Sequence, residues 1–413
     1  MSYRKIGDLI QLVDVRNKDL SITHLVGLTI NKKFIPSVAN TIGTDMSNYK
    51  IIRKNQFACS TMQVRRDKKM PVALLKQLDV AIISQAYPVF EVIDEKELLP
   101  EYLMLWFSRS EFDREACFHA VGGVRGSLEW EDFCNMELPI PSIEKQRKIV
   151  AQYQAVANKI KVNEQICEKL EATAQTLYKQ WFVDFEFPNE EGKPYKSSGG
   201  KMVWNEELEK EIPEGWEVKK INSIAKVKHG YAFLGEDFSE VETEKVLVSP
   251  GNFKISGGFN FEKNKFYTGK TNENYILKEK DLVVNMTDLS KAGDTLGNTA
   301  FIPNISFKIL LHNQRVGLFC FNENFYNYYV YLLTQTKEYK HYILGTATGT
   351  TVRHTSPDRI CDYDFVKPSK NILITFNNII EPILNKIGLQ ISIKYKLFQL
   401  QSLLLSRLAT LEG

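Results

Sequence analysis

One short stretch of the chain concentrates positive charge. MQVRRDKKM, residues 62–70, places Arg65, Arg66, Lys68 and Lys69 after the apparent strand QFACSTM. A short polar stretch after a strand predicts an exposed loop. Arginine and lysine in such a loop suit contact with phosphate oxygens, and arginine also matches the acceptor pair on a guanine edge. A solvated charged loop has the same composition, so the stretch is a candidate for nucleic-acid contact.

Two further loops, one in each half of the chain, carry an arginine at matched positions. GGVRG holds Arg125 between glycines, and the later segment TTVRH holds Thr351, Arg353 and His354. Glycine lets the backbone approach a ligand closely, while guanidinium, hydroxyl and imidazole groups can donate to phosphates or base edges. The alternative is that both segments are turns that satisfy their own carbonyl groups. The matched arginines favour nucleic-acid contact.

The second half also contains a loop rich in Gly, Asn and Thr. This loop, NMTDLSKAGDTLGNTAF, includes Lys291, and Arg315 follows the next apolar run. Polar loops of this kind can read bases directly, although any long surface loop has a similar composition. Lys291 and Arg315 complete the candidate set for nucleic-acid contact.

The sequence lacks the motifs that catalysis on nucleic acid requires. An adenine methyltransferase needs a Pro-Pro-aromatic turn and a Gly-rich cofactor loop, and neither is present. The 6 histidines show no i, i+3 or i, i+4 pairing, and the 6 cysteines show no C-x-x-C spacing. We therefore predict no catalytic residue, no metal site and no cofactor in this chain.

Composition limits the remaining possibilities. A chain of 413 residues with 43% hydrophobic and 25% charged residues is globular and too long for one ordinary core. The net charge is only +3, so any basic surface must be local. No apolar run approaches the roughly 20 residues of a membrane span, and the N-terminus has no signal core. We expect a cytoplasmic protein without a membrane partner.

Two heptad seams, at a constant offset, predict two long helices that pair with each other. Each follows a Pro-Ser pair, at Pro141 and Pro368, and both carry a polar amide at the same place, which favours a defined register. Pro382 predicts a kink or a late start of the second helix. The seam residues are Ile149, Tyr153, Val156, Ile160, Asn163, Leu170 and Leu177, then Ile380, Ile383, Ile387, Gln390, Leu397, Leu404 and Leu408.

Three features of the chain carry a resemblance to a known family. The first is the pair of segments that end the two globular halves, LPIPSIEKQRKIV and FVKPSKNILITF. The second is the helix end with the connector, LYKQWFVDFEFPNEEGKPYKSSGGKMVWNEELEKEIPEGWEVKKI, and the third is the repeat of the two halves. In these residues the chain resembles the DNA specificity subunits of Type I restriction-modification systems. The resemblance covers essentially the whole chain.

The resemblance implies an α/β (mixed α+β) chain with two globular target recognition domains, separated by two long antiparallel helices that form a coiled coil. On this basis the recognition domains span residues 1–141 and 216–368. The spacer helices span residues 142–187 and 369–413, and a connector occupies residues 188–215.

The resemblance also implies a function without catalysis. Each domain of such a subunit reads one half of a bipartite site in double-stranded DNA, and the helices set the gap between the half-sites. The helices dock two methyltransferase subunits, and two motor-nuclease restriction subunits complete the enzyme. S-adenosylmethionine, ATP and magnesium are expected on those partner subunits.

Three other functions remain open at this point. The chain could be the specificity chain of another restriction class, a coiled-coil adaptor without sequence preference, or a nucleic-acid enzyme with degenerate motifs. A neighbouring methyltransferase gene would argue against the adaptor. Sequence-selective protection of DNA would exclude both the adaptor and the enzyme.

Overall fold

The computed structural model describes residues 2–38, 43–123, 126–305 and 307–409. The chain divides into two compact units, one formed by residues 1–160 with 397–413 and the other by residues 161–396. Each unit combines short strands and short helices with part of each of two long helices. The predicted mixed α/β fold is therefore confirmed.

The first half of the chain folds around an antiparallel sheet of order β2-β9-β6-β7. Its strands are β1 Ser2–Lys5, β2 Ile10–Val13, β3 Val26–Leu28, β4 Phe34–Pro36, β5 Lys50–Arg53, β6 Phe57–Cys59, β7 Val72–Leu74, β8 Val80–Ile83, β9 Val89–Val92 and β10 Glu137–Ile140. Its helices are α1 Val64–Asp67, α2 Pro100–Phe107, α3 Ser110–His119, α4 Trp130–Asn135 and the long α5 Ile143–Tyr178. β1 pairs with β10, so the half closes on itself just before α5 begins.

The second half has a sheet of order β14-β23-β19-β21 and a five-stranded sheet of order β15-β17-β16-β22-β18. Its strands are β11 Met202–Asn205, β12 Lys210–Pro213, β13 Glu217–Lys220, β14 Ala225–His229, β15 Phe238–Ser239, β16 Lys245–Val248, β17 Lys265–Tyr267, β18 Ile276–Leu277, β19 Leu282–Asn285, β20 Thr287–Asp288, β21 Thr299–Phe301, β22 Ile309–His312, β23 Val316–Phe321, β24 Arg353–His354 and β25 Asp364–Lys367. Its helices are α6 Asn327–Leu333, α7 Lys337–Thr346, α8 Pro357–Cys361 and the long α9 Lys370–Ser406.

The repeat seen in the sequence is also a repeat of strand pairing. β2 pairs with β9 as β14 pairs with β23, and β6 pairs with β9 as β19 pairs with β23. β5 pairs with β8 as β18 pairs with β22, and the closing pair β1–β10 has its equivalent in β13–β25. Both halves therefore use one plan, and each ends in a long helix.

The core of the first unit is aromatic and includes both long helices. The Phe57 and Phe90 rings stack with centroids 5.0 Å apart, and Phe107 meets both rings edge-on. Val150 of α5 belongs to the same buried cluster, and Leu405 of α9 packs against it. The two helices are thus part of this core and do not merely adjoin it.

The core of the second unit joins the end of α5 to α9. Trp181 and Phe182 follow α5, and their rings lie 5.3 and 4.7 Å from the ring of Phe376. Tyr195 of the connector stacks on Phe187 at 4.6 Å, and the Phe187 ring also stacks on Trp216 at 4.9 Å. Because these rings are stacked on one another, the connector packs against the unit instead of extending into solvent.

The helix α9 passes through Pro382 without interruption, so the alternative of a late start was wrong. Pro382 is exposed, and so is Asn378, whose carbonyl group loses its helical donor there. Water can hydrate that carbonyl group, which lets the helix tolerate the proline. Downstream of Pro382, Leu384 is buried and the predicted seam residue Ile383 is only half-buried.

The other predicted seam residues lie along the inner side of the two helices to different depths. Those that are buried are Ile160, Asn163, Ile380, Ile387, Gln390 and Leu408. Those that are half-buried are Ile149, Tyr153, Val156, Leu170, Leu177, Leu397 and Leu404.

The two polar seam residues form a hydrogen bond with each other. Asn163 Nδ2 donates to Gln390 Oε1, and the two side chains are buried. One turn further along α9, Lys394 Nζ lies 2.5 Å from Glu164 and 2.9 Å from Glu262. The contacts of Asn163 with Gln390 and of Trp181 with Phe376 show that α5 and α9 run antiparallel within the second unit.

Replacing Asn163 with Leu should lower the free energy of unfolding by about 1–3 kcal/mol, because the Gln390 carbonyl oxygen would stay buried without its donor. Gln390→Leu should have a similar effect, because the Asn163 amide N–H would stay buried without its acceptor. The double variant should recover much of the loss, since neither amide is then buried unpaired. Urea unfolding of all four proteins measures the coupling, and purely additive losses would contradict a direct interaction.

Candidate nucleic-acid interface

The predicted basic stretch folds into one exposed turn, which we call the basic turn (residues 62–70). Gln63 and Lys68 flank α1 with left-handed backbone angles, φ 64° and 50°. Arg66 Nε donates to Asp67 Oδ1 over 2.6 Å, and this bond holds the pKa of the Asp67 carboxyl below its usual value. Two left-handed non-glycine residues are costly, so the surroundings must hold the turn. The cations are all exposed: Arg65, Arg66, Lys68 and Lys69.

Buried side chains hold the basic turn in place. Val64 and Met70 lie on either side of the four cations, and both are fully buried. The Met70 amide donates to Asp113 Oδ1 over 3.1 Å, and Lys32 Nζ lies 2.8 Å from the same oxygen. The Asp113 carboxylate is therefore bound from two sides in the interior. These buried contacts hold the backbone of the turn, and its cations project into solvent.

The glycine-rich segment packs directly on the basic turn. The Arg65 amide donates to the Gly126 carbonyl over 3.4 Å, and Arg65 Nη1 donates to the Gly122 carbonyl over 3.2 Å. A Cβ on Gly126 would lie 2.8 Å from Arg65 Cβ, so this approach requires glycine. The predicted contact residue Arg125 lies outside the described residues. We call the basic turn together with residues 117–123 the first basic surface.

A buried carboxylate organises the predicted polar loop of the second half. Asp288 accepts from the Ser290 amide over 2.7 Å and from the Thr295 amide and hydroxyl over 2.5 and 2.7 Å. Asn285 Nδ2 also donates to the Thr295 hydroxyl over 2.9 Å. Burial opposes ionisation of Asp288, but these hydrogen bonds outweigh it and lower the pKa of the carboxyl. The loop therefore has a defined backbone.

The predicted residues Arg353 and His354 lie on β24, beside this loop. β24 pairs with β20, which places Thr287 opposite His354, and the Thr287 hydroxyl lies 3.2 Å from His354 Nδ1. Arg353 Nε donates to the Lys291 carbonyl over 2.8 Å. The side chains of Lys291 and Thr351 are exposed. Residues predicted from two separate stretches thus meet at one place.

Arg315 lies in an exposed turn on the other side of the loop. The Met286 amide donates to the Arg315 carbonyl over 3.0 Å, and the Thr355 amide donates to the Met286 carbonyl over 3.1 Å. Met286 is therefore hydrogen-bonded both to Arg315 and to the segment that contains Arg353 and His354. We call the loop 286–298, with Arg315 and the segment 348–355, the second basic surface.

An aromatic and basic group beside Arg315 was missed by the sequence reasoning. The Gln314 amide donates to the Tyr231 carbonyl over 3.0 Å, and Tyr231 is 46% exposed. The Tyr231 and Tyr275 ring centroids lie 5.3 Å apart, and Lys228 Nζ lies 5.0 Å from the Tyr275 centroid. Rings beside cations are typical of surfaces that bind nucleic acid. The close spacing of Lys, His and Tyr in KVKHGYAF was the available signal.

The two basic surfaces occupy equivalent places in the two halves. The basic turn follows β6 and the loop 286–298 follows β19, which are equivalent strands, and each meets the segment before α4 or α8. Within the described part of the chain, no group of His, Cys, Asp and Glu side chains could hold a metal ion. None of the described helices is long and apolar enough to cross a membrane. Both surfaces offer cations and N–H donors suited to polyanion binding.

Comparisons with known proteins agree on one family. The family described as "Type I restriction modification DNA specificity domain" matches residues 2–172 and 213–355. The chain is 29% identical over 306 residues to the Type I restriction enzyme MjaIX specificity subunit of Methanocaldococcus jannaschii, covering 72% of this chain and 65% of that protein. It is 28% identical over 163 residues to the HindI specificity subunit of Haemophilus influenzae, covering 39% of this chain and 35% of that protein. These matches span less than two thirds of either relative.

Among solved structures, the fold is similar to a Type I restriction-modification S subunit from M. genitalium. The TM-score is 0.53 at 13% sequence identity, and the alignment covers 99% of this chain and 96% of that chain. At this identity the similarity concerns the fold alone.

Asp288→Ala should loosen the loop 286–298, because the amides of Ser290 and Thr295 lose their acceptor. We expect these two amides to exchange hydrogen faster, with a loss of about 1–3 kcal/mol in the free energy of unfolding. Hydrogen exchange with mass spectrometry measures the first effect and urea unfolding the second. Asp294→Ala, in the same loop with an exposed side chain, is the control. Equal exchange in both variants would contradict the role of Asp288.

Proposed function

The chain belongs to the family of Type I restriction-modification DNA specificity proteins, and from this membership we propose that it is the DNA-recognition subunit of a Type I restriction-modification complex. In this proposal each half reads one part of a bipartite site in double-stranded DNA. The observation that carries it is the presence of two equivalent basic surfaces, one in each half of the chain. A bipartite site requires two such readers.

The lysines and the arginines of the two surfaces would have separate tasks in recognition. Lys68, Lys69 and Lys291 are exposed and suit phosphate contacts, which position the protein without reading sequence. Arg65 is bonded to the Gly122 carbonyl, and Arg353 is bonded to the Lys291 carbonyl, so each guanidinium has a preferred direction. A guanidinium held in this way suits a guanine edge. The arginines are therefore our candidates for base contacts.

We also propose that the two long helices set the gap between the half-sites. α5 contains 36 residues and α9 contains 37. At about 1.5 Å per residue, each would extend for roughly 55 Å. The bond between Asn163 and Gln390 supports this role because it opposes sliding of one helix along the other.

The partner proteins in this proposal are two methyltransferase subunits and two motor-nuclease restriction subunits, in the cytoplasm. S-adenosylmethionine, ATP and magnesium would be bound by those partners, and this chain would carry out no catalytic step. Large exposed apolar side chains on the long helices support docking of a protein there, because a docked partner would cover them. Those exposed are Val162, Ile166, Ile374, Ile379, Leu389, Leu400 and Leu403.

Exchanging residues 1–138 for the equivalent part of a related subunit should change one half-site and leave the other intact, because each half has its own basic surface. Deleting the gene should abolish methylation at the motif. Methylome sequencing of the wild-type, deleted and exchanged strains measures both effects. A motif that survives the deletion would refute the proposed function, and a simultaneous change of both half-sites would refute independent reading.

Lengthening both helices by one turn should widen the gap between the half-sites. Four residues inserted after Ile160 and four after Lys396 add about 6 Å to each helix, or roughly two base pairs of DNA. These positions keep the Asn163–Gln390 contact and both cores in register. The motif found by methylome sequencing should keep its half-sites at the new spacing. An insertion after Ile160 alone is the control and should destabilise the protein, while an unchanged gap in the double insertion would contradict the spacer role.

A further inference from the structure

Each basic surface presents one large apolar side chain to solvent. Phe118 of the first basic surface is 81% exposed, and Leu289 of the second is 65% exposed. A single exposed apolar side chain is common on a protein surface, so the informative feature of these two is their position beside cations. Both residues lie beside the cations already described, Phe118 next to the basic turn and Leu289 two residues before Lys291.

The position of Phe118 follows from the packing of α3. Ala116 and Ala120 are buried on either side, and Cys117 Sγ donates to the Val64 carbonyl at the base of the basic turn. The backbone therefore cannot rotate to bring Phe118 inside. Its ring touches the edge of the His119 ring, with centroids 5.3 Å apart, and otherwise faces outward.

The position of Leu289 follows from the network around Asp288. Asp288 and Ser290, on either side of Leu289, are joined by a hydrogen bond in which the Ser290 amide donates to the Asp288 carboxylate. The Ser290 hydroxyl in turn accepts from the Gly293 amide over 3.0 Å. Because both neighbours are held, Leu289 stays on the outside of a rigid turn.

We propose that Phe118 and Leu289 each contact the bases of one DNA half-site through their apolar side chains. This inference rests on the proposed function and adds a specificity residue to each reader. The thymine methyl group and the faces of the bases offer apolar surface to such side chains. DNA is favoured over a protein partner because both residues lie beside loops with exposed cations, which attract the phosphates on either side of a groove.

The test uses the full chain and duplexes that carry the motif found by methylome sequencing. Phe118→Ala and Leu289→Ala should each weaken binding at least about tenfold, since an apolar contact of this size is lost. Phe118→Leu should retain most of the affinity. The slope of affinity against salt should stay unchanged in all three variants, because no phosphate contact is removed.

Duplexes with one scrambled half-site assign each residue to its reader. The effect of Phe118→Ala should vanish when the half-site read by the first half is scrambled and persist when the other is scrambled. Leu289→Ala should behave in the opposite way. Ile93→Ala and Val241→Ala are matched controls, because both side chains are exposed and both lie near the strand ends opposite the basic surfaces.

The outcomes separate this inference from the proposed function. If the wild-type chain binds the motif duplex no better than a fully scrambled duplex, the proposed function fails. If it prefers the motif but both alanine variants bind like wild type, the inference is overturned. A loss that is equal on motif and scrambled duplexes would also overturn it, as would a loss of methyltransferase co-purification with unchanged DNA binding.

Discussion

The hydrogen bond between Asn163 and Gln390 constrains how the two long helices lie against each other. It joins equivalent positions of two long helices, and both amides are buried, so the helices cannot slide without leaving polar groups unpaired. Both helices also supply residues to the core of each unit, Val150 and Leu405 in one and Ala174 and Phe376 in the other. A change of helix register would therefore disturb both cores.

The two basic surfaces share one structural feature, a buried carboxylate beneath the loop. Asp113 accepts the Met70 amide at the end of the basic turn, and Asp288 accepts the amides of Ser290 and Thr295. Asp113 also pairs with the buried Lys32 ammonium, and Asp288 also accepts from the Thr295 hydroxyl, while the cations of the two basic surfaces are on the outside. The result is a pair of loops with fixed backbones and exposed positive charge, which is what a reader of a polyanion needs.

Several features could be predicted because they depend on periodicity and composition. The heptad seams, the offset between them and the paired amides are local patterns, and a helix imposes its own spacing on the residues that can meet. The effect of Pro382, for which a kink or a late start was expected, was less predictable, because it depends on which face of α9 the proline occupies. Pro382 and Asn378 lie on an exposed face, where water can hydrate the carbonyl group that lacks its helical donor.

The sequence by itself determined the two-part plan, the long paired helices and the stretches that carry exposed cations. Only the tertiary structure decided which stretches meet, because strand pairing brings together residues far apart in the chain, such as Arg65 with Gly126 and Lys291 with Arg353. It alone also revealed that Phe118 and Leu289 face solvent. An apolar residue in a sequence is ordinarily read as core, and only the packing of its neighbours shows that it has been left outside.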